Sequence, residues 1–406
     1  MIHVCFGLHD ATGRYSKFTG TAMLSLFDNT NAKVTVHILH DNTLTQANRE
    51  KFSAVANQYN QRVEFHNVEK ICADKLAEYV SLVPSVKDAP VTVGAFYRLV
   101  LTEILSPDID KVIYLDSDVI INLDIARLWE IELGDKIFAA VPEVANDMQI
   151  QNLMPLCREG YVKAEDYFNS GVLLMNLNRL RGEGENLKRG VTFRGQRNNG
   201  CYDQDILNYL FAADYVKLPV EFNCFVKFNR RLNEKAAFGK IYHYTYGRAG
   251  KGLTLDMNDP FNHLWLEYFA KTPWFTAETI KRICAGFRQA YADLSVATIK
   301  MTAAMSGKAR AFVVPKDDIN NIKALFAVRT DEDVIAVDKY IPLQEIFEQM
   351  NSSRGKKIFF VFVPDFPFEN FERLGFVRGL DFLNGYGLFL EVQDFALDSH
   401  RIIKTM

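Results

Sequence analysis

Short apolar runs alternate with amphipathic stretches through the first part of the chain, the pattern of an α/β domain. Ile2–Gly7 predicts a strand, and Tyr15–Phe27 a helix with Phe18, Ala22 and Leu26 on one face. Val34–Leu39 and Val63–His66 predict two further strands. Between them Thr45–Tyr59 predicts a helix capped by Thr45, whose hydroxyl oxygen can accept from a free first-turn amide. Tyr97–Leu105 has helical spacing and Pro107 marks its end. Lys111–Leu115 is continuously apolar after its lysine, which predicts a strand at the sheet centre, covered on both faces. A strand at Gly171–Asn176, a helix starting near Asp203 and a strand at Lys240–Tyr244 complete this region.

The character changes near residue 275. Ile280, Ile283, Cys284, Phe287, Tyr291, Leu294 and Ala297 recur at helical spacing. Residues 281–310 carry Lys281, Arg282, Arg288, Lys300, Lys308 and Arg310 against the single acidic Asp293. The plain interpretation is a domain-bridging helix with a solvated basic face. The sharper one is a peripheral contact with an anionic membrane surface or an acidic acceptor. Strand–helix alternation then resumes at Arg310–Val314, Asn320–Ala327, Asp333–Val337, Leu343–Met350 and Lys356–Val363, a small α/β module. Its first turn, Val314-Pro315-Lys316-Asp317-Asp318, lacks the glycines that let a backbone approach a pyrophosphate, so docking or oligomerisation suits it better than a dinucleotide.

The chain's 406 residues are more than one domain usually holds. The division expected is 1–275, a linker at 276–305 and a module at 306–406. A formal charge of −3 argues against a nucleic-acid partner, which calls for a basic excess. Cys5, Cys72, Cys157, Cys201, Cys224 and Cys284 form no C-x-x-C pair, which points away from a disulfide framework or zinc site and toward a reducing compartment. No signal-peptide pattern precedes the first strand, and no apolar run reaches the ~18 residues of a membrane span. The expected location is cytoplasmic, with membrane association confined to the cytoplasmic face.

The chemistry concentrates where Lys111–Leu115 runs into Asp116-Ser117-Asp118. Side chains two apart in extended backbone share a face, so both carboxylates can aim at one site. Ligands gather at the carboxyl ends of such strands. Paired carboxylates there suit a hard divalent cation that itself holds substrate phosphates. Phe96-Tyr97-Arg98-Leu99 lies upstream. Downstream come Asn169-Ser170-Gly171-Val172-Leu173-Leu174-Met175-Asn176-Leu177, then Asp203-Gln204-Asp205-Ile206-Leu207-Asn208, and finally His243. With these motifs in this order the chain resembles family 8 of the glycosyltransferases, retaining enzymes of the GT-A fold. The resemblance covers the first ~275 residues, and Thr272-Pro273-Trp274 is similar to the domain end of bacterial lipopolysaccharide members.

The resemblance implies roles. Asp116, Asp118 and His243 would hold Mn²⁺, with Mg²⁺ the alternative, against the diphosphate of UDP-glucose or UDP-galactose; an imidazole ligand favours manganese. Arg98 and Ser117 would lie near sugar and phosphate, and Asn169, Ser170 and Gly171 near the donor sugar. Gln204, beside Asp203, would lie beneath the anomeric carbon. An amide is a poor nucleophile, which favours a front-face path over a covalent intermediate. Gly7, Leu8, Asp10 and Tyr15 would hold the uridine, with Asp10 accepting from the uracil imide and Tyr15 stacking. Family members commonly continue from the histidine as H-x-x-G-x-x-K-P-W. Here Gly247 and Lys251 arrive late, no Pro-Trp follows, and Arg248 competes with Lys251 for the diphosphate. The implied acceptor is a hydroxyl of a glycan such as lipopolysaccharide. A non-catalytic sugar-nucleotide sensor and a sugar-nucleotide pyrophosphorylase stay open beside it, as does the oligomeric state.

Overall fold

The computed structural model describes residues 1–13, 15–87, 93–143, 154–197, 201–226, 238–244, 260–281, 307–338, 341–363 and 366–385. The chain divides into two compact units, Met1–Ala277 and Glu278–Met406.

The first unit is built on a seven-stranded sheet of β1 (Ile2–Leu8), β2 (Val34–His40), β3 (Arg62–Asn67), β4 (Lys111–Leu115), β6 (Phe138–Pro142), β7 (Phe168–Asn176) and β8 (Tyr215–Lys217). The spatial order is β3-β2-β1-β4-β7-β6-β8. The four strands from β3 to β4 run parallel, and β4 meets β7 antiparallel. The continuously apolar Lys111–Leu115 thus lies fourth of seven, as its composition predicts. Alternate side chains serve two cores. Ile113 and Leu115 face one together with Val4, Phe6, Val172 and Leu174. Val112 and Tyr114 face the other together with Leu173 and Met175. Helices Ser16–Asp28 and Pro260–Phe269 contribute to the first, and Ala73–Leu82 and Tyr202–Phe211 to the second.

Local signals act where expected. Thr45 caps Gln46–Gln58 by accepting from the Asn48 amide, a contact of about 1 kcal/mol. Trp274 packs against Gly20 of the first helix, where any Cβ would sit 2.2 Å from its ring, and donates from its indole to Asn48 at 3.0 Å. The segment read as a helix over Tyr97–Leu105 is instead a 3₁₀ turn, Val93–Val100, followed by a single α-turn, Leu101–Ile104. Tight winding there places Tyr97, Arg98 and Leu99 all in buried positions, which a continuous amphipathic helix would not do.

A separate small sheet joins β5 (Val119–Asn122), β10 (Lys240–His243) and β9 (Cys224–Phe225) in the order β5-β10-β9. The second unit carries a parallel four-stranded sheet, β12-β11-β13-β14, from β11 (Ala309–Pro315), β12 (Asp333–Val337), β13 (Lys357–Val361) and β14 (Phe382–Asn384). Phe312, Val314 and Phe360 face one side of it and Ala311, Val313, Phe359 and Val361 the other. Most of the basic 281–310 stretch falls outside the described residues. Among those described, no helix is long and apolar enough to cross a membrane.

Candidate active site

The Asp116-Ser117-Asp118 turn sits where two sheets meet. The Asp116 amide donates to the Gly171 carbonyl at 2.8 Å, extending the β4–β7 ladder one step past the strand. Asp118 then leads into β5, and β10 pairs antiparallel with β5 so that His243 stands opposite Val119. The Tyr244 amide donates to the Asp118 carbonyl at 2.9 Å. A histidine 125 positions along the chain from Asp118 is thereby registered against it. His243 Nε2 lies 3.3 Å from Asp118 Oδ1 and 3.8 Å from Asp116 Oδ2. One donor atom from each of the three falls within 4.8 Å of the others.

Gly171 makes this approach possible. A Cβ on it would stand 2.2 Å from His243 Cε1 and 2.8 Å from Asp116 Oδ2. Glycine is required here for lack of space, not for backbone conformation.

His243 is 4% exposed and held from behind. Its Nδ1 pairs with Asn223 Oδ1 at 3.0 Å, so Nδ1 carries a proton and Nε2 is the nitrogen turned toward the carboxylates. Fully buried Asn223 donates in turn to Asn169 Oδ1 at 2.9 Å, which also accepts from the Gly171 amide at 2.9 Å. Asn169 donates to Glu143 at 2.9 Å. Asn169, expected at the donor sugar hydroxyls, is thus 7% exposed and positions the histidine. Neither Asn223 nor Glu143 stood out in the sequence, since neither lies in a motif. Such an outer partner fixes the tautomer and orientation of a ligating imidazole, and its loss costs about 10–100-fold in metal affinity. Asn223→Ala should weaken Mn²⁺ binding by that factor in an EPR titration, with the fold retained by circular dichroism.

Arg98 is the electrostatic centre of the floor. It is 4% exposed, stacks over the Tyr114 ring at 4.2 Å, and donates to the Ser170 carbonyl and to Asp116 Oδ1, each at 2.6 Å. Its Nε lies 3.1 Å from Asp203 Oδ2. The two carboxylates hold the guanidinium pKa above its ordinary value, against the cost of burial. Asp203 also accepts from the Ser170 hydroxyl at 3.2 Å. Gln204, in the first turn of Tyr202–Phe211, is half-buried; its Oε1 accepts from the Ser170 amide at 3.0 Å and its Nε2 donates to Tyr167 at 3.3 Å. Arg98, Asp203, Gln204 and Ser170 therefore form one hydrogen-bonded wall beside the Asp116–Asp118–His243 cluster.

The expected uridine loop departs from its sequence reading. Asp10 is 2% exposed and accepts from the Tyr15 amide at 2.6 Å, the Ser16 amide at 3.2 Å, the Ser16 hydroxyl and Asn48 at 3.1 Å. Its carboxylate organises the helix start and is not open to a uracil imide. Leu8 is fully buried among core residues, so only its main chain can serve a ligand. Ser117 is 5% exposed and its hydroxyl is taken up by Thr19 at 2.8 Å. Gly7 admits the neighbouring 3₁₀ turn, since a Cβ there would lie 2.8 Å from the Gly94 carbonyl oxygen. Tyr15 is half-buried; burial, Asp118 and Asp116 push its phenol pKa up, which keeps a neutral ring near the carboxylates. His9, absent from the expected set, pairs with Asp41 at the ends of β1 and β2. Gly247, Arg248 and Lys251 lie outside the described residues.

The donor set fits a divalent cation. Burial disfavours a charged His243, but hydrogen bonding to Asp118 and the charges of Asp118 and Asp116 outweigh it and raise the pKa. A pocket that draws a proton onto a buried imidazole also favours a bound cation. Two carboxylate oxygens and one imidazole are a donor set for a divalent cation.

A family model described as glycosyl transferase family 8 matches residues 8–248. A putative glycosyltransferase of Haemophilus influenzae is 28% identical over 230 residues, which span 54% of this chain and 63% of that protein. A lipopolysaccharide 1,2-glucosyltransferase of Escherichia coli is 27% identical over 274 residues, 61% of this chain and 73% of that protein. Among solved structures, the galactosyltransferase LgtC in complex with donor and acceptor sugar analogues aligns with a TM-score of 0.54 at 21% identity, covering 70% of this chain and 100% of that one. That likeness identifies the GT-A fold. The family match spans more than half of the chain and falls on the unit that carries these motifs, and on that ground the chain belongs to glycosyl transferase family 8 and is a glycosyltransferase.

Proposed function

We propose that the chain transfers a hexose, glucose or galactose, from its UDP derivative to a hydroxyl of a glycan acceptor with retention of anomeric configuration, using Mn²⁺ held by Asp116, Asp118 and His243. The observation that carries this reading is the convergence of those three side chains, within 4.8 Å of one another, at the end of a central strand. When bound, the cation supplies Lewis-acid neutralisation of the donor's diphosphate.

The protein's residues do the positioning. Arg98 fixes Asp116 and adds fixed positive charge behind the site, preorganised because its partners hold it before any substrate arrives. Asn223 and Asn169 aim His243. Gln204 offers an amide, a poor nucleophile, at the wall where the sugar would lie. A front-face path suits this better than a covalent sugar–enzyme intermediate. The acceptor oxygen bonds to the anomeric carbon on the face the diphosphate leaves, and its proton passes to the departing phosphate oxygen. The names of the bacterial relatives favour lipopolysaccharide or another surface polysaccharide as acceptor. Gly247 and Lys251, with Arg248 as competitor, are proposed to close over the diphosphate, and residues 281–310 to meet an anionic surface on the cytoplasmic side.

A donor-hydrolysis screen tests the reading. With Mn²⁺, slow UDP release should appear with one UDP-hexose and fall by about 10²–10³-fold in Asp118→Ala. Tight UDP binding without turnover toward any donor or acceptor would instead identify a sugar-nucleotide sensor.

A further inference from the structure

A second constellation of metal-ligating side chains lies away from the catalytic cluster, on strands β1, β2 and β3. His37 of β2 pairs in register with Glu64 of β3, and His66 follows two residues later on the same face. His37 Nδ1 lies 3.0 Å from His66 Nε2 and 3.4 Å from Glu64 Oε2, and those two lie 3.8 Å apart. A tetrahedral zinc ion with ligand bonds of about 2.0–2.1 Å sets its donor atoms roughly 3.4 Å apart, the middle of this range.

The surroundings complete the pattern. A ligating imidazole donates its other ring N–H to a neighbour, and a ligating carboxylate has its second oxygen held. His37 Nε2 lies 2.9 Å from His3 Nδ1, on the side away from Glu64 and His66. Arg62 holds Glu64 Oε1 at 2.8 Å, leaving Oε2 to face the two histidines. One ligand atom from each of His37, Glu64 and His66 falls within 4.8 Å of the others. His37 is 1% exposed, but the side chains of Glu64 and His66 are 30% and 18% exposed, which gives an ion a way in.

We infer that His37, Glu64 and His66 form a three-residue site for a divalent transition metal of the zinc type, with His3 and Arg62 as its outer partners. The ion would clip β3, the edge strand of the sheet, to β2 and fix their register. This site is chemically distinct from the catalytic cluster: two imidazoles and one carboxylate favour zinc or cobalt, whereas two carboxylates and one imidazole suit manganese.

The test uses the full chain with Asp118→Ala, which disables the catalytic cluster as a ligand set. After loading with Zn²⁺ and dialysis, elemental analysis should find about one zinc per chain. Loading with Co²⁺ should give the intense visible absorption of a tetrahedral site without thiolate charge-transfer bands. Adding His66→Gln or, separately, Glu64→Gln should remove both the bound zinc and the cobalt spectrum while circular dichroism stays unchanged. Both substitutions fall on partly exposed side chains. Absence of zinc in the Asp118→Ala chain, or undiminished zinc and cobalt signals in the folded His66→Gln and Glu64→Gln chains, would overturn the assignment and leave a histidine hydrogen-bond ladder.

Discussion

Gly171→Ala should abolish transfer while leaving most of the fold intact. The added methyl would enter 2.2 Å from His243 Cε1 and 2.9 Å from its Nδ1, with Asp116 Oδ2 at 2.8 Å. None of these atoms is the free end of a flexible chain. His243 is fixed by Asn223, and Asp116 by Arg98 and by its own amide on the Gly171 carbonyl. The histidine must swing away, which breaks its pairing with Asn223 and separates it from Asp118. Overpacking of this kind costs about 1–3 kcal/mol of stability. The functional loss is larger, because removing a ligand exceeds the ~10–100-fold that loss of an outer partner costs. A Mn²⁺ titration should show affinity reduced by more than about 100-fold, with a melting temperature only a few degrees lower. Wild-type affinity in Gly171→Ala would mean that His243 does not take part.

Arg98→Met should have the largest effect on stability. The change removes the cation that Asp116 and Asp203 share and leaves the buried Asp203 without its guanidinium partner. Breaking a buried pair from one side costs about 3–5 kcal/mol, a fall of roughly 10 °C in melting temperature. Double substitution, Arg98→Met with Asp203→Asn, should recover part of that loss, since the stranded charge is then gone. Activity should not return, because Asp116 has still lost its anchor. Arg98→Lys should keep some stability but not geometry, since a single ammonium cannot reach Asp116, Asp203 and the Ser170 carbonyl together.

The chain's legibility follows from the range of the interactions involved. The β4 strand, the turn after it and the Asn169–Gly171 segment announce themselves through local pattern, and the structure places them side by side. His243 joins them through a strand pairing, His243 against Val119, that no local spacing encodes; only motif order pointed to it. Asn223 was invisible because its meaning lies in two long-range hydrogen bonds. The family resemblance implied ligand contacts at Asp10, Ser117 and Leu8. Hydrogen-bond partners and burial decide otherwise: Ser117 bonds Thr19, Asp10 is taken up by Tyr15, Ser16 and Asn48, and Leu8 lies in the core. Position in a motif located the site, while hydrogen-bond demand assigned the work within it.

Calorimetric titration of UDP into the full chain, with and without Mn²⁺, tests whether Asp116, Asp118 and His243 together hold a cation that in turn holds the donor's diphosphate. Wild-type protein should bind UDP at least about tenfold more tightly with Mn²⁺, a coupling of about 1.4 kcal/mol or more, and Asp118→Ala should bind UDP weakly and equally in both conditions. Equal UDP affinity of the wild-type protein with and without Mn²⁺, or an undiminished Mn²⁺ effect in Asp118→Ala, would mean that the three side chains do not hold a cation for the diphosphate.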